Sequence, residues 1–344
     1  MKIVHVVWGM KTGGIETMLV NIINEHVKTE DVYLYIVNDF VEEDIVANIS
    51  PKCTIYRLKR RPGSKNPISI LRLNLWLMCH NPDIIHVHSN GLSKLILFKN
   101  NIVRTIHDIN NMPGEYSRMK ALYAISNAVK DFTINQGFPD VIEVDNGIRV
   151  QDVIKKHDRN QQNGIYKLVQ LGRLYSPHKG QDLLVKALGI LINKGVTNFK
   201  MHFLGDGPSL EDLRKLSDEL GLSDYIVFEG RKTQKEIYQQ LCGYDVFVQP
   251  SRSEGFGLTV AEAVAAKLPV LVSNLPGPME IIDNGHFGMS FETENIEDLA
   301  AKLEIILNEG YDYSLVEKAY KRVVELYDVS VTAKKYIDEY KKII

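Results

Sequence analysis

The sequence predicts an α/β protein made of two doubly wound parallel sheets, and three observations carry that prediction. The chain has 344 residues, which is more than a single hydrophobic core commonly serves. Short runs such as IVHVV and IIHVH are nearly continuous in buried-type residues, the pattern of strands covered on both faces by helices. The same strand–helix alternation starts twice, once at Lys2 and again at Tyr166.

In the first half, Lys2 to Trp8 reads as a strand that ends at Gly13-Gly14 and leads into Glu16–His26, whose apolar residues recur at helical spacing. Val32–Val37 and Cys53–Leu58 follow as strands, and Ile68–Cys79 as a helix. Asp83–His88, Ile102–His107, Ala121–Ile125 and Val141–Val144 read as further strands. The stretch QDVIKKHDRNQQNG, from Gln151 to Gly164, is polar with few apolar anchors and predicts the domain boundary. The expected domains are therefore residues 1–160 and 161–328.

Beyond the boundary, Tyr166–Gly172, Phe199–Gly205, Ile226–Glu229, Asp245–Gln249 and Pro269–Val272 read as strands. Helices are expected at Gly180–Asn193, Ser209–Leu220, Gln234–Cys242 and after Gly257. A last helix, within residues 329–344 and clearest over Val331–Ile344, is expected to cross back to the first domain. Two such Rossmann-like halves predict a cleft facing the carboxyl ends of the strands, where open α/β sheets bind ligands.

Composition narrows the function. The formal charge of -2 supplies no global field for a polyanion, so nucleic acid is not an expected partner. Cys53, Cys79 and Cys242 are scattered and odd in number, which gives neither a disulfide framework nor a paired zinc motif and suits a reducing cytoplasm. The opening MKIVHVVWGM lacks the apolar core and cleavage site of a signal peptide. No run approaches the roughly 20 apolar residues of a membrane span. The expected location is the cytoplasm, with any membrane contact peripheral to the inner face.

The most informative stretch is Gln249-Pro-Ser-Arg-Ser-Glu-Gly-Phe-Gly-Leu-Thr-Val-Ala-Glu262, where a strand ends, a glycine turn follows and a helix begins near Gly257. Eight helical residues at a rise of about 1.5 Å put Glu254 and Glu262 on the order of 12 Å apart. That exceeds the roughly 5 to 9.5 Å between the paired carboxyls of a glycosidase. It suits a ligand with hydroxyls at both ends and a diphosphate in the middle, facing the amides of Gly257 and Leu258 at the helix N-terminus.

This segment resembles the E-x7-E motif of retaining glycosyltransferase family four, the group 1 glycosyltransferases of GT-B fold. Gly172-Arg173 and His178-Lys179-Gly180 are similar to the family's arginine and lysine that bind the donor diphosphate. Thr105-Ile-His107-Asp108 resembles its histidine beside the donor sugar, and Thr12-Gly13-Gly14-Ile-Glu16 its N-terminal glycine loop. The matches span most of the chain in the family's order.

By that resemblance, Glu254 bonds hydroxyls of the transferred sugar, Glu262 holds the ribose, and His107 contacts the sugar near the reacting carbon. Arg173 and Lys179 neutralise the diphosphate, and the chain has no D-x-D sequence for a metal. The implied catalytic set is His107, Glu254, Arg173 and Lys179. The implied donor-binding set adds Gly13, Gly14, Gly205, Arg231, Gly257, Leu258 and Glu262. The resemblance implies a metal-independent hexose transfer from a UDP- or GDP-sugar to a glycan or lipid-linked glycan, without a cofactor and with the anomeric configuration retained. Bacterial surface polysaccharide synthesis is the expected setting.

Plainer readings stand beside these. Gly205-Asp206-Gly207 begins like a dinucleotide fingerprint but has Leu210 at the third glycine, so NAD is disfavoured and a nucleotide-adjacent loop preferred. His86 and His88 share a strand face, yet no third metal ligand is evident, and zinc is disfavoured. Arg231-Lys232 lies at a strand end and reads equally as a solvated loop. Lys59-Arg60-Arg61 with Lys65 reads as a solvated basic loop or as an attraction for anionic headgroups or a lipid diphosphate. The segment Ile109–Lys120 is shorter than its family counterpart, so no acceptor pocket is carried over. An epimerase or phosphorylase on the same fold, and a non-catalytic nucleotide-sugar-binding subunit, are the alternatives.

Overall fold

A computed structural model describes residues 1–11, 13–97, 101–109, 118–157 and 164–344. The chain forms two compact units, Met1–Arg149 with Tyr327–Ile344, and Val150–Leu326.

The first unit runs β1 (Lys2–Val7), α1 (Gly14–His26), β2 (Asp31–Asn38), α2 (Glu43–Val46), β3 (Thr54–Arg60), α3 (Ile68–His80), β4 (Ile84–Val87), β5 (Ile102–Ile106), β6 (Ala121–Ala124), α4 (Asn127–Asn135) and β7 (Val141–Glu143). Its seven strands lie in the order β3-β2-β1-β4-β5-β6-β7, and every adjacent pair is parallel. The near-continuous apolar runs have the predicted meaning, because β1, β4 and β5 are buried along almost their whole length.

The second unit contains β8 (Tyr166–Leu171), α5 (Ser176–Lys179), α6 (Gln181–Asn193), β9 (Phe199–Leu204), α7 (Leu210–Glu219), β10 (Ile226–Gly230) and α8 (Gln234–Gln240). It continues with β11 (Val246–Gln249), α9 (Leu258–Ala265), β12 (Val270–Ser273), α10 (Pro276–Ile281), β13 (Met289–Phe291), α11 (Ile296–Glu309) and most of α12 (Tyr313–Tyr327). Its six parallel strands are ordered β10-β9-β8-β11-β12-β13. Strand order reverses between β1 and β4 in the first sheet and between β8 and β11 in the second. Ligands of such sheets bind beyond the strand ends at that reversal.

The last helix, α13 (Val329–Lys341), packs on the first unit, with Val329, Tyr336, Ile337 and Tyr340 in one apolar cluster with Ile3, Met18, Ile84 and Tyr123. Asp328 caps it by accepting from the Ser330 amide at 2.9 Å.

The chain divides at Arg149/Val150, about ten residues before the expected boundary. The polar stretch starts as a tether to the second unit. Ile154 N–H donates to Tyr238 O and Lys156 N–H to Ala266 O, each at 2.9 Å. Lys156 Nζ pairs with Asp245 at 2.8 Å, each side chain only 8% exposed. Residues 158–163 of the stretch lie outside the described residues. The helix expected over Gln234–Cys242 is α only to Gln240 and closes in a 3-10 turn at Leu241–Gly243.

Candidate active site

In the second unit the reversal point is built from glycines that let backbone meet backbone. At the end of β8, Gly172 has φ +133, and beyond β9, Gly205 has φ +158. A Cβ on Gly205 would stand 1.9 Å from Gly172 O, so the two strand-end loops touch only because Gly205 carries no side chain. Gly180, at φ +63, presses on the end of β11 in the same way, with an added Cβ 1.8 Å from Pro250 O.

That close approach brings α5 to the motif loop. Arg252 and Ser253 N–H donate to His178 O at 2.8 and 3.2 Å. The Arg252 guanidinium grips both oxygens of Asp182 at 2.6 and 2.9 Å, donates to Ser176 O and reaches Glu294 at 2.9 Å. Arg252 was not singled out in the sequence, where one arginine between two serines carries no spacing signal.

Lys179 ends α5 and donates to Glu254 Oε2 at 2.6 Å. The same oxygen accepts from Gln249 Nε2 at 2.9 Å, and Gln249 Oε1 in turn accepts from Thr259 Oγ1 at 3.0 Å. Glu254 is thus held through one oxygen by a cation and an oriented amide. Arg173 is exposed one residue beyond Gly172, with its guanidinium 5.9 Å over the Tyr175 ring and its carbonyl accepting from Gln181 Nε2 at 3.0 Å.

Gly257, at φ +107, caps α9, and Leu258 is that helix's first residue. Glu262 lies inside α9, buried, and faces α8 through hydrogen bonds from the Gln234 and Tyr238 side chains. Burial raises its carboxyl to about 7, against a smaller lowering by those two donors. The two glutamates therefore differ in kind, one beside a lysine and one buried beside neutral donors. Arg231 is exposed directly after β10.

In the first unit, Gly13 is extended at φ -172 and stands at the N-cap of α1, whose first residue is Gly14. Thr12 lies outside the described residues, as do residues 110–117 of the shortened segment. His107 follows β5 with its ring 5.6 Å from that of His88. Burial, aided by Arg104, lowers it to about 3, and Asp108 only partly opposes this. Its Nε2 has no hydrogen-bond partner among the described residues.

The third imidazole missing from the sequence reading of His86 and His88 comes from β1. Ligand atoms of His5, His86 and His88 all lie within 4.8 Å of one another. His5 Nδ1 and His88 Nε2 share a hydrogen bond of 3.0 Å, whereas His86 meets Tyr340 Oη at 2.6 Å and Thr105 Oγ1 at 2.7 Å. The trio is thus knitted into the docking of α13, and a metal would have to displace a hydroxyl from His86.

Two sequence profiles divide the chain between them. One, described as glycosyl transferases group 1, matches residues 153–322, and the other, glycosyltransferase family 4, matches residues 12–152. The chain belongs to the group 1, family 4 glycosyltransferases.

Among curated relatives, a sulfoquinovosyl transferase of Arabidopsis thaliana is 33% identical over 44% of the chain and 30% of its own length. A GDP-mannose-dependent phosphatidylinositol monomannoside mannosyltransferase of Mycobacterium tuberculosis is 34% identical over 41% of the chain and 38% of its own length. The chain thus spans well under two thirds of either relative. The Anabaena protein HepE, solved with UDP and glucose, superposes with a TM-score of 0.80 over 99% of both chains at 17% identity. At that identity the likeness shows the fold, two parallel-sheet α/β domains of the GT-B kind.

Proposed function

We propose that the chain is a retaining hexosyltransferase that takes its sugar from a UDP- or GDP-sugar without a metal and delivers it to a glycan or lipid-linked glycan. The second unit is assigned to the donor and the first to the acceptor. The observation that carries this reading is the Lys179–Glu254–Gln249 cluster at the strand reversal, where Glu254 is held through a single oxygen.

In this reading Lys179 and Arg173 offset the charge that grows on the leaving diphosphate as the bond to the anomeric carbon breaks. The amides of Gly257 and Leu258 add the positive end of α9. The free oxygen of Glu254 accepts from hydroxyls of the transferred sugar, and Glu262 accepts from the ribose. Gly13, Gly14, Gly205 and Arg231 complete the donor-binding assignment. The acceptor oxygen bonds to the anomeric carbon on the face the diphosphate leaves, and the acceptor proton passes to the departing phosphate oxygen. For His107 the role is a hydrogen bond to the sugar from a ring that burial keeps neutral.

A lipid-linked acceptor fits the mycobacterial relative named for a phosphatidylinositol monomannoside, and a cytoplasmic setting in surface-polysaccharide synthesis belongs to the same proposal. The test is release of nucleoside diphosphate on mixing donor and acceptor. Glu254→Gln and Lys179→Ala should each lower that turnover by about 10²- to 10³-fold with unchanged melting temperatures. Wild-type turnover in both variants sinks the assignment.

A further inference from the structure

On the first unit, α3 is apolar on two opposite faces. One face, with Leu73 and Leu77, is buried against the sheet edge formed by β2 and β3. The other carries Ile68, Leu71, Leu75 and Met78 at spacings of three, four and three residues, and these are 58, 53, 57 and 56% exposed. A helix apolar all round is ordinarily covered on every side, and contiguous large apolar side chains on a surface mark an interaction face. Leu97, 60% exposed, is held beside it, its amide donating to Asn74 Oδ1 at 2.7 Å.

The charge around this stripe has one sign. From Thr54 to His80 the sequence has no aspartate or glutamate and six cations: Arg57, Lys59, Arg60, Arg61, Lys65 and Arg72. The whole chain has a formal charge of -2, so the asymmetry is local. Arg57 is paired with Glu43, and Arg60 is turned inward to Asn38 and Ser64. Lys59, Arg61 and Lys65 are exposed, and none forms an ion pair with a described residue. Lys59 sits at a β-bulge with φ 52 on an edge strand. Guarding that edge against strand pairing accounts for Lys59, but for neither Arg61, Lys65 nor the apolar stripe.

We infer that α3 and the loop before it form a membrane-docking face, which lays the stripe into the interfacial region of a bilayer rich in anionic lipid while the loop cations engage its headgroups. The charge decides against a second copy as occupant, because self-association through this face would oppose two sets of like charges across a low-dielectric contact. Among the described residues no helix is long and apolar enough to cross a membrane, so the attachment is interfacial.

The test is co-sedimentation of the full chain with vesicles of phosphatidylcholine containing 30% phosphatidylglycerol, and with phosphatidylcholine alone. Binding is expected to the anionic vesicles only and to weaken as salt rises. Lys59→Glu/Arg61→Glu/Lys65→Glu should weaken it by about 100-fold or more, and Leu71→Glu/Leu75→Glu by at least about tenfold. All five positions are exposed, so melting temperatures should match the wild type, and the two variants probe independent halves of the face. Equal binding by the variants, equal binding to both vesicle types, or no binding by the wild type overturns the inference. So does a vesicle-free dimer that Leu71→Glu/Leu75→Glu dissolves, which would give the stripe to a second copy. No nucleotide sugar enters this assay, so its outcome is independent of the transferase reading.

Discussion

In the second unit, Lys156, Lys179 and Arg252 each meet a carboxylate within 2.8 Å. In the first, His5, His26, His86, His88 and His107 lie beside one another or beside hydroxyls and carbonyls, and burial lowers all five. At these positions the second unit keeps charges and pairs them, whereas the first suppresses charge by excluding water. The consequences for failure differ. Losing one partner of a pair is a local event with a functional cost, whereas protonating a buried histidine set strikes every neighbour together, since each new charge raises the cost of the next.

The largest expected effect follows from the histidines. Their folded values lie below the ordinary 6.5, with His26 near 4 and His107 near 3. The unfolded chain therefore binds more protons below pH 6.5, so stability is full above that value and falls as pH drops toward the folded values. Each such group contributes up to about 1.4 kcal/mol per pH unit, so five reach about 7 kcal/mol per unit at most. The chain has two tryptophans, Trp8 and Trp76, both in the first unit. An acid titration should show tryptophan fluorescence changing between pH 6 and 4, ahead of full loss of far-ultraviolet dichroism. A fluorescence transition only below about pH 3.5, where carboxylates titrate, would show that burial does not hold these rings neutral.

Next in size is the pair proposed to be catalytic. Lys179 and Glu254 are 30% and 16% exposed, so their attraction should add no more than about 1 kcal/mol to stability. Their weight lies in turnover, where each single substitution is expected to lose about 10²- to 10³-fold, roughly 3 to 4 kcal/mol. If both act on one transition state as a unit, Lys179→Ala/Glu254→Gln should be little worse than the poorer single variant. Fully additive losses in kcat/KM would separate the two residues' roles.

What was legible in the sequence follows the same divide. The second sheet could be read from its strands and glycines because local patterns dictate them; Glu254 was marked by the E-x7-E spacing and Lys179 by the family resemblance. The support from Arg252 was not legible: it acts through Ser176 and Asp182, 76 and 70 residues away, and no local pattern encodes that. The short α2, α4, α5, α10 and β13 and the helices α11 and α12 are not among the elements legible in the sequence. In the first unit, His86 and His88 were read without His5, because β1 and β4 are neighbours in the sheet although 83 residues separate His5 from His88. Strand order is a tertiary fact, and it decides which imidazoles meet.

The smallest effect tests whether the second unit has an exception to its own rule. Among the described residues no cation accompanies the buried Glu262, and its folded value of about 7 lies above the ordinary 4.5. The folded state thus holds the proton more tightly than the unfolded one. Stability is full below pH 4.5 and is lost as pH rises through 7, by up to about 3 kcal/mol. Glu262→Gln removes that loss, so urea unfolding without nucleotide should find the variant more stable than wild type at pH 8 and equal to it at pH 4.5. Nucleoside diphosphate should narrow the gap at pH 8, because ribose hydroxyls would supply the ionised carboxylate with the donors it lacks. A variant less stable than wild type at pH 8 would mean that Gln234 and Tyr238 already satisfy the charge, leaving Glu262 no unmet need for a ribose to fill.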